Sequence, residues 1–387
     1  MEVLRGQLTQ QVTEALARSP ICLILGPRQA GKTHLARHFQ TQTDNYFDLE
    51  NLVDERRLQE NPQGELSRLY GLVVIDEAQR MPSLFPILRF LTDRPDNPAR
   101  FLLTGSASPE LMEGASESLA GRVAYVDVGG FDVEEIEPAY HETLWLQGGL
   151  PRAYLQSEAD SFNWRIDYLR SLVGEDLREL AQIRIAPVAL RRLLQHLAQT
   201  NGRVWNHSAA GRLLDVEYKT VQRYVELLTG TFLIRLLPPF DVNLAKRLRK
   251  SPKLYFRDSG LVHALLNIRS QRELRGHLDY GFSWEGFALE QVIRVLRLRD
   301  SECFSHAVHS GAEMDLVVER GGRRYGFEFK ASESPGNTDS IREVLADLSL
   351  TRVYIIHSGG RDYPLNEKVE AIAARNLPAL RERWETP

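Results

Sequence analysis

The chain has 387 residues, 48 Lys and Arg against 52 Asp and Glu, and a formal net charge of −4. That balance excludes a protein that coats nucleic acid by bulk charge, while a local basic patch stays compatible with it. With 43% hydrophobic and 26% charged residues it reads as a globular protein of two or three domains, at about 100–200 residues per domain.

Cys22 and Cys303 lie in apolar segments without metal-type spacing, so no disulfide framework is expected and a reducing cytosol is the natural home. The first stretch, MEVLRGQLTQQVTEAL, lacks the apolar core of a signal peptide. No apolar run approaches the roughly 20 residues of a membrane span. A cytoplasmic protein without membrane association is expected.

In chain order, Val3, Leu4, Leu8, Val12, Ala15 and Leu16 fall mostly at helical spacing and predict an amphipathic helix up to Arg18. Ile21 to Leu25 is a short apolar run that reads as a buried parallel strand. Gly26 to Thr33 then has the spacing G-x-x-x-x-G-K-T, and His34 to Phe39 opens a helix. Strand, glycine loop and helix together make a phosphate site. Gly26 and Gly31 let the backbone N–H groups face a phosphate, with the helix N-terminus adding partial positive charge. Lys32 is the residue for the β- and γ-phosphates, and the Thr33 hydroxyl is the ligand for Mg. Pro27, Arg28, Gln29, Ala30 and His34 complete the candidate nucleotide-binding set. The plain alternative is an ordinary glycine turn.

Asn45 to Leu49 reads as a second strand, with Asp48 and Glu50 at an end that lies either near a nucleotide or in a solvated loop. Leu72 to Ile75 is fully apolar and ends in Asp76-Glu77. Downstream of a P-loop, the first acid suits a magnesium ligand and the second a base for the attacking water. Met81 to Leu91 reads as a helix. Phe101 to Leu103 is a strand ending in Thr104-Gly105-Ser106, where Thr104 or Ser106 could position water. Arg122, at the end of SLAGR and before the strand Val123 to Val128, is either an arginine finger supplied to a neighbouring subunit or a helix-end arginine beside a glycine cap.

The series GPRQAGKT, LVVIDEAQ, FLLTGSAS and SLAGR resembles AAA-type P-loop ATPases. It is most similar to a bacterial and archaeal family that joins this ATPase to a C-terminal domain of unknown function. The resemblance covers Met1 to about Phe131. It implies that Lys32, Thr33, Asp76 and Glu77 bind and hydrolyse ATP with Mg, and that Arg122 acts in trans within a homo-oligomer.

Past Gly129, the LWLQGGLPRAYL of Leu144 to Leu155 is a helical region punctuated by Gly148, Gly149 and Pro151, similar to a GG-x-P element of the same family. Phe162 to Ile183 reads as one long helix with a solvated charged face that includes Glu175, Asp176 and Arg178. From Val188 to Leu237 the order is helix, helix, turn, helix, strand, which describes a winged helix-turn-helix. Tyr218, Lys219, Thr220, Gln222 and Arg223 are then the residues that face DNA. The alternative is a protein-binding module. KRLRKSPK, Lys246 to Lys253, is a denser basic run, either a phosphate contact or a solvated loop.

Leu254 to Phe256 reads as the start of a new unit, and RDSGL at Arg257 to Leu261 matches the start of the family's C-terminal domain. Ser283 to Leu298 is a predicted helix carrying Glu285 and Glu290. Asp315 starts a strand, Gly321-Gly322 form a hairpin, and YGFEFK follows, with Glu328 and Lys330 on one strand face. An Asp and Glu-x-Lys on hairpin partners, with a glutamate from the preceding helix, can gather a divalent metal and a lysine that activates water. This resembles the restriction-endonuclease-like fold. Glu285 suits the helix position, with Glu290 the alternative; a cross-strand ion pair is the plain reading.

The expected architecture is α/β: an AAA-type P-loop ATPase domain (1–137), a helical connector (138–187), a winged helix-turn-helix (188–242) and a restriction-endonuclease-like α/β domain (243–387). The expected function is an ATPase that remodels or processes DNA, branched forms included. The alternative is an ATP-driven switch or assembly ATPase whose C-terminal domains bind partners and do not cut DNA.

Overall fold

A computed structural model describes residues 3–385 except 41, 96–98, 107–116, 177–185, 242–250, 308–310 and 337. The chain forms two compact units, 1–130 with 230–232, and 131–229 with 233–387.

The first unit contains α1 (Gly6–Arg18), β1 (Ile21–Gly26), α2 (Lys32–His38), β2 (Tyr46–Asp48), α3 (Leu52–Glu60), α4 (Pro62–Ser67), β3 (Gly71–Asp76), α5 (Leu84–Thr92), β4 (Ala99–Ser106) and β5 (Val123–Asp127). The strands make one parallel sheet in the order β2-β3-β4-β1-β5. Every residue of β1 is buried, as a strand covered on both faces requires. Its alternation divides the core. Ile21, Leu23 and Leu25 pack with Leu58, Phe85 and Leu88, while Cys22 and Ile24 pack with Val12, Leu16 and Leu35. β4 runs on to Ser106, three residues beyond the expected Leu103, because Ser106 pairs with Gly26.

The second unit begins with α6 (His141–Gln147), α7 (Pro151–Tyr154) and α8 (Glu158–Ser171). From Phe131 onward the chain bonds within this unit: Phe131 N–H donates to Gly149 O at 2.6 Å and Val133 N–H to Gln291 Oε1 at 2.9 Å. The expected long helix is present as α8, continued by a wide helical turn over Leu172–Asp176; its remainder, with Arg178, lies outside the described residues.

Next come α9 (Pro187–Gln199), β6 (Arg203–Val204), α10 (His207–Leu214), α11 (Tyr218–Gly230), β7 (Ile234–Leu237) and β8 (Lys253–Phe256). The three strands pair antiparallel in the order β6-β8-β7. Leu254 to Phe256 therefore does not start a new unit. It is the central strand of this small sheet, and it completes the preceding three helices. Most of KRLRKSPK, residues 246–250, and the expected boundary at 242 lie outside the described residues.

The chain then runs through α12 (Ser259–Leu265), α13 (Gln271–Arg275), α14 (Tyr280–Val295), β9 (Cys303–Ala307), β10 (Glu313–Arg320), β11 (Arg323–Lys330), α15 (Asp339–Asp347), β12 (Arg352–His357), β13 (Tyr363–Pro364), β14 (Val369–Ala373) and α16 (Leu377–Glu385). These strands form a mixed sheet in the order β13-β14-β12-β11-β10-β9. The β10–β11 hairpin turns at Gly321 and Gly322, both with positive φ (60° and 72°), which a two-residue turn of this hand needs.

Candidate functional site

The loop between β1 and α2 is shaped by two left-handed residues, Gln29 (φ 65°) and Gly31 (φ 89°), the second at the N-cap of α2. Gly26 needs to be glycine for a local reason. A Cβ there would lie 2.0 Å from Val128 O, at the end of β5. Lys32 is 5% exposed and curls back over the loop, donating to Gly26 O at 3.0 Å and Pro27 O at 2.9 Å. Burial lowers its pKa, and Glu77 and Asp76 oppose that shift. The buried Arg5 holds the same loop from behind, donating to Ala30 O and Gly129 O at 3.0 Å and Gly130 O at 2.9 Å.

Sheet order brings the acids to this loop. β4 lies between β1 and β3, so Ser106 is level with Gly26, and Ile24 is level with Thr104. The Thr104 hydroxyl donates to Asp76 Oδ1 and accepts the Glu77 N–H at 3.1 Å. Tyr46 OH donates to Asp76 Oδ2 at 2.8 Å. Asp76 is 1% exposed, so these bonds satisfy a carboxylate that water cannot reach. Glu77 takes φ 56°, a left-handed backbone for a non-glycine residue directly after the strand, and its carboxylate accepts from Gln79 Nε2. Ser106 is buried, and Thr33 and His34 stand in the first turn of α2, His34 exposed. The Thr33 hydroxyl and the Asp76 carboxylate are all-oxygen donors, the set that magnesium takes.

Asp48 is level with Asp76 on β2, and its Oδ1 accepts the Glu50 N–H at 2.9 Å, a local turn. Sequence reasoning missed Tyr46 and Thr104's bridging role, since both depend on strand pairing.

Arg122 stands elsewhere. β1 and β5 run parallel with Ile21 level with Val123, so Arg122 lies at the opposite end of the sheet from the loop, roughly 17 Å away by strand rise. It makes a two-pronged pair with Asp93, at 2.6 and 2.9 Å, and donates to Ala120 O at 2.8 Å. It cannot serve the loop of its own chain.

In the second unit, α11 buries Val221, Tyr224 and Val225 and exposes Tyr218, Lys219, Gln222 and Arg223, with Thr220 half-buried. Arg191 and Arg192 on α9 are also exposed.

Around the β10–β11 hairpin the expected residues converge in part. Glu285, Asp315 and Glu328 are 8%, 7% and 8% exposed. The Phe329 N–H donates to Asp315 Oδ2 at 3.0 Å, and Lys330 Nζ to Glu328 Oε1 at 2.6 Å. Glu290 is not the helix carboxylate of this group. It is ion-paired with buried Arg235, which also holds Asp300. Two residues were missed. Lys253 Nζ lies 3.3 Å from both Glu285 Oε1 and Asp315 Oδ1, and 3.7 Å from Glu313 Oε2. Tyr255 OH donates to Glu285 Oε1 at 2.6 Å. The signal was present: in K-L-Y-F, Lys253 and Tyr255 alternate onto one strand face. Burial and then Asp315 push Glu285 up to about 8 and Glu328 up to about 7. Burial alone would lower Lys253, but Glu285, Asp315 and Glu313 raise it. The Lys253 ammonium thus lies between Glu285 and Asp315, in contact with both of the carboxylates that the expected metal centre would use.

The GG-x-P and RDSGL stretches meet each other. Asp258 Oδ2 accepts the N–H groups of Gly149 at 2.9 Å and Leu150 at 3.2 Å, and Oδ1 caps α12 through the Leu261 N–H at 3.1 Å. A Cβ on Gly148 would strike Asp258 Oδ1 at 2.1 Å, and one on Gly260 would strike Gln147 O at 2.0 Å. Their role is packing.

Among the described residues, no helix is long and apolar enough to cross a membrane. A family profile described as an AAA domain matches residues 18–137. Two profiles for domains of unknown function, DUF8612 and DUF4143, match residues 139–272 and 280–377. The boundary near 272 keeps β8 and RDSGL with the helices before them. Uncharacterized proteins of Mycobacterium tuberculosis and Mycobacterium bovis are each 43% identical over 379 residues, covering 97% of this chain and 85% of theirs. Among solved structures, a Walker-type ATPase of Pyrococcus abyssi is 18% identical with a TM-score of 0.46, covering 69% of this chain and 96% of that one. A signal transduction ATPase with a tetratricopeptide repeat sensor from Pyrococcus horikoshii is 14% identical with a TM-score of 0.29, covering 77% and 46%.

Proposed function

We propose that this chain, which belongs to the AAA-type P-loop ATPases that carry a C-terminal domain of unknown function, is a magnesium-dependent ATPase acting on DNA. The observation that carries the ATPase reading is the junction of Asp76, Glu77 and Thr104, one strand away from the Lys32 loop. ATP with Mg supplies the phosphoryl group and the charge that the loop is built to receive. Lys32 exchanges its loop carbonyls for phosphate oxygens. Thr33 and Asp76 hold the ion. Glu77 would orient and deprotonate water, and Ser106, whose strand position is level with Gly26, would hydrogen-bond the same water. Arg122, remote from its own loop, serves a neighbour's, which makes the working form a homo-oligomer.

The helix–strand–helix–helix–strand–strand order of α9 to β8 supports a winged helix. Its Lys219, Gln222 and Arg223 are exposed on α11, where a recognition helix presents side chains to phosphates and bases. The α14–β11 region is read as nuclease-like in fold.

A second reading keeps the ATPase and makes it an assembly switch, with C-terminal domains that bind partners without cutting DNA. The placement of Lys253 against Glu285 and Asp315 favours it for that domain. ATP turnover of the purified chain, with Lys32→Ala as control, tests the shared core: turnover equal in the two proteins contradicts it.

A further inference from the structure

The acidic group at the β10–β11 hairpin is built like a cation site, yet a cation of the chain's own is already seated in it. Lys253 comes from the central strand of a different sheet and is 8% exposed. Its Nζ is 3.3 Å from Glu285 Oε1, 3.3 Å from Asp315 Oδ1 and 3.7 Å from Glu313 Oε2. Three carboxylates from α14 and β10 thus share one ammonium. Asp315 has its other oxygen bound by the Phe329 N–H, and Glu285 is further held by Tyr255 OH. Glu328 sits beside this group, accepts from Lys330 Nζ at Oε1, and keeps Oε2 buried with no hydrogen-bond partner among the described residues. A buried carboxylate oxygen left without a donor is costly, so the four acids here are crowded around the one ammonium and Lys330.

We infer that Lys253 is the resident cation of this site, filling the place between Glu285 and Asp315 that a divalent ion would need, and that removing its charge opens a site for a hard divalent cation. The chemistry is direct. Oxygen-only donors with several carboxylates suit Mg²⁺ or Mn²⁺. A divalent ion on Asp315 has to displace the ammonium or share the carboxylate with it, and like-charge repulsion in a buried site opposes sharing. With the lysine in place, the domain does not take the ion that metal-dependent cleavage requires. The inference concerns the second unit alone and stands whether or not the P-loop hydrolyses ATP.

The test is Mn²⁺ binding to the nucleotide-free full chain, followed by the electron paramagnetic resonance signal of free Mn²⁺. The wild-type chain and Asp315→Asn are expected to bind the same number of ions. Lys253→Met, similar in length and uncharged, is expected to bind one more, and Lys253→Met/Asp315→Asn to lose it again. A wild-type ion that disappears in Asp315→Asn overturns the inference, as does a folded Lys253→Met chain that gains none. If Lys253→Met does not fold, the wild-type and Asp315→Asn comparison decides alone, with Glu328→Gln as its second arm.

Discussion

The Thr104 hydroxyl donates to Asp76, across the two adjacent strands that carry these residues. The same oxygen accepts the backbone N–H of Glu77, which holds the left-handed turn that aims the second acid away from the strand. One hydroxyl therefore bonds both the Asp76 carboxylate and the Glu77 backbone. Thr104→Val, equal in shape and without the hydroxyl, is expected to lower ATP turnover by roughly 10–100-fold, the range for partners that orient metal ligands. Nucleotide affinity should change little, and Thr104→Ser should keep most of the rate. Steady-state turnover with a fluorescent-nucleotide titration separates the two effects.

Lys32→Ala removes a side chain that curls over the loop carbonyls of Gly26 and Pro27. ATP binding should fall at least about 10-fold, as loss of a charge-assisted phosphate contact implies. Unchanged affinity in calorimetric titration contradicts the P-loop assignment.

Arg122 offers a mixing experiment. Arg122→Ala and Lys32→Ala are each expected to be nearly inactive, because one lacks the trans residue and the other the loop lysine. Mixed oligomers contain sites that join an intact loop to an intact arginine, so part of the turnover should return. No recovery after mixing under conditions that exchange subunits places Arg122 in its pair with Asp93 alone.

His263 gives a pH dependence of stability. It is fully buried, with Nδ1 bonded to Leu146 O at 2.8 Å and Nε2 to Ser283 Oγ at 2.6 Å, and Ser283 Oγ also accepts from Trp145 Nε1. Burial, aided by Arg165 and His277, pushes its pKa from 6.5 down to about 3. The unfolded chain takes up a proton near pH 6.5 that the folded chain refuses until about pH 3. Stability from this residue is therefore full above 6.5 and is lost as pH falls toward 3, at up to roughly 1.4 kcal/mol per pH unit. Urea midpoints measured at about pH 7.5 and about pH 5 should fall more for wild type than for His263→Gln. Equal drops contradict the assignment.

On α11 the exposed basic pair bears on DNA binding. Lys219→Ala with Arg223→Ala should weaken DNA binding and reduce the salt dependence by about two phosphate contacts. An unchanged salt slope argues for a protein-binding face.

Much of the first unit was legible because its information is local. β1, its loop and α2 follow one another within a short stretch, and β3 announces itself as an apolar run closed by two acids. What was not legible depends on pairings distant in sequence. Arg5 reaches carbonyls 124 and 125 residues away. Lys253 sat at the end of a basic run that read as a phosphate contact or a solvated loop, because only its pairing with Leu237 and Val204 turns it inward. Glu285 and Glu290 share one helix and differ only in what meets them: Tyr255 and Lys253 for the first, Arg235 for the second. The RDSGL stretch looked like a domain start, yet Asp258 spends its oxygens capping α12 and holding Gly149 and Leu150.

The most direct test of the central claim is the steady-state ATP turnover of the full chain, with and without duplex, single-stranded and branched DNA, beside Glu77→Gln. The account predicts magnesium-dependent turnover that one DNA form stimulates and that Glu77→Gln abolishes. Turnover that ignores every DNA form, or that survives Glu77→Gln, contradicts it.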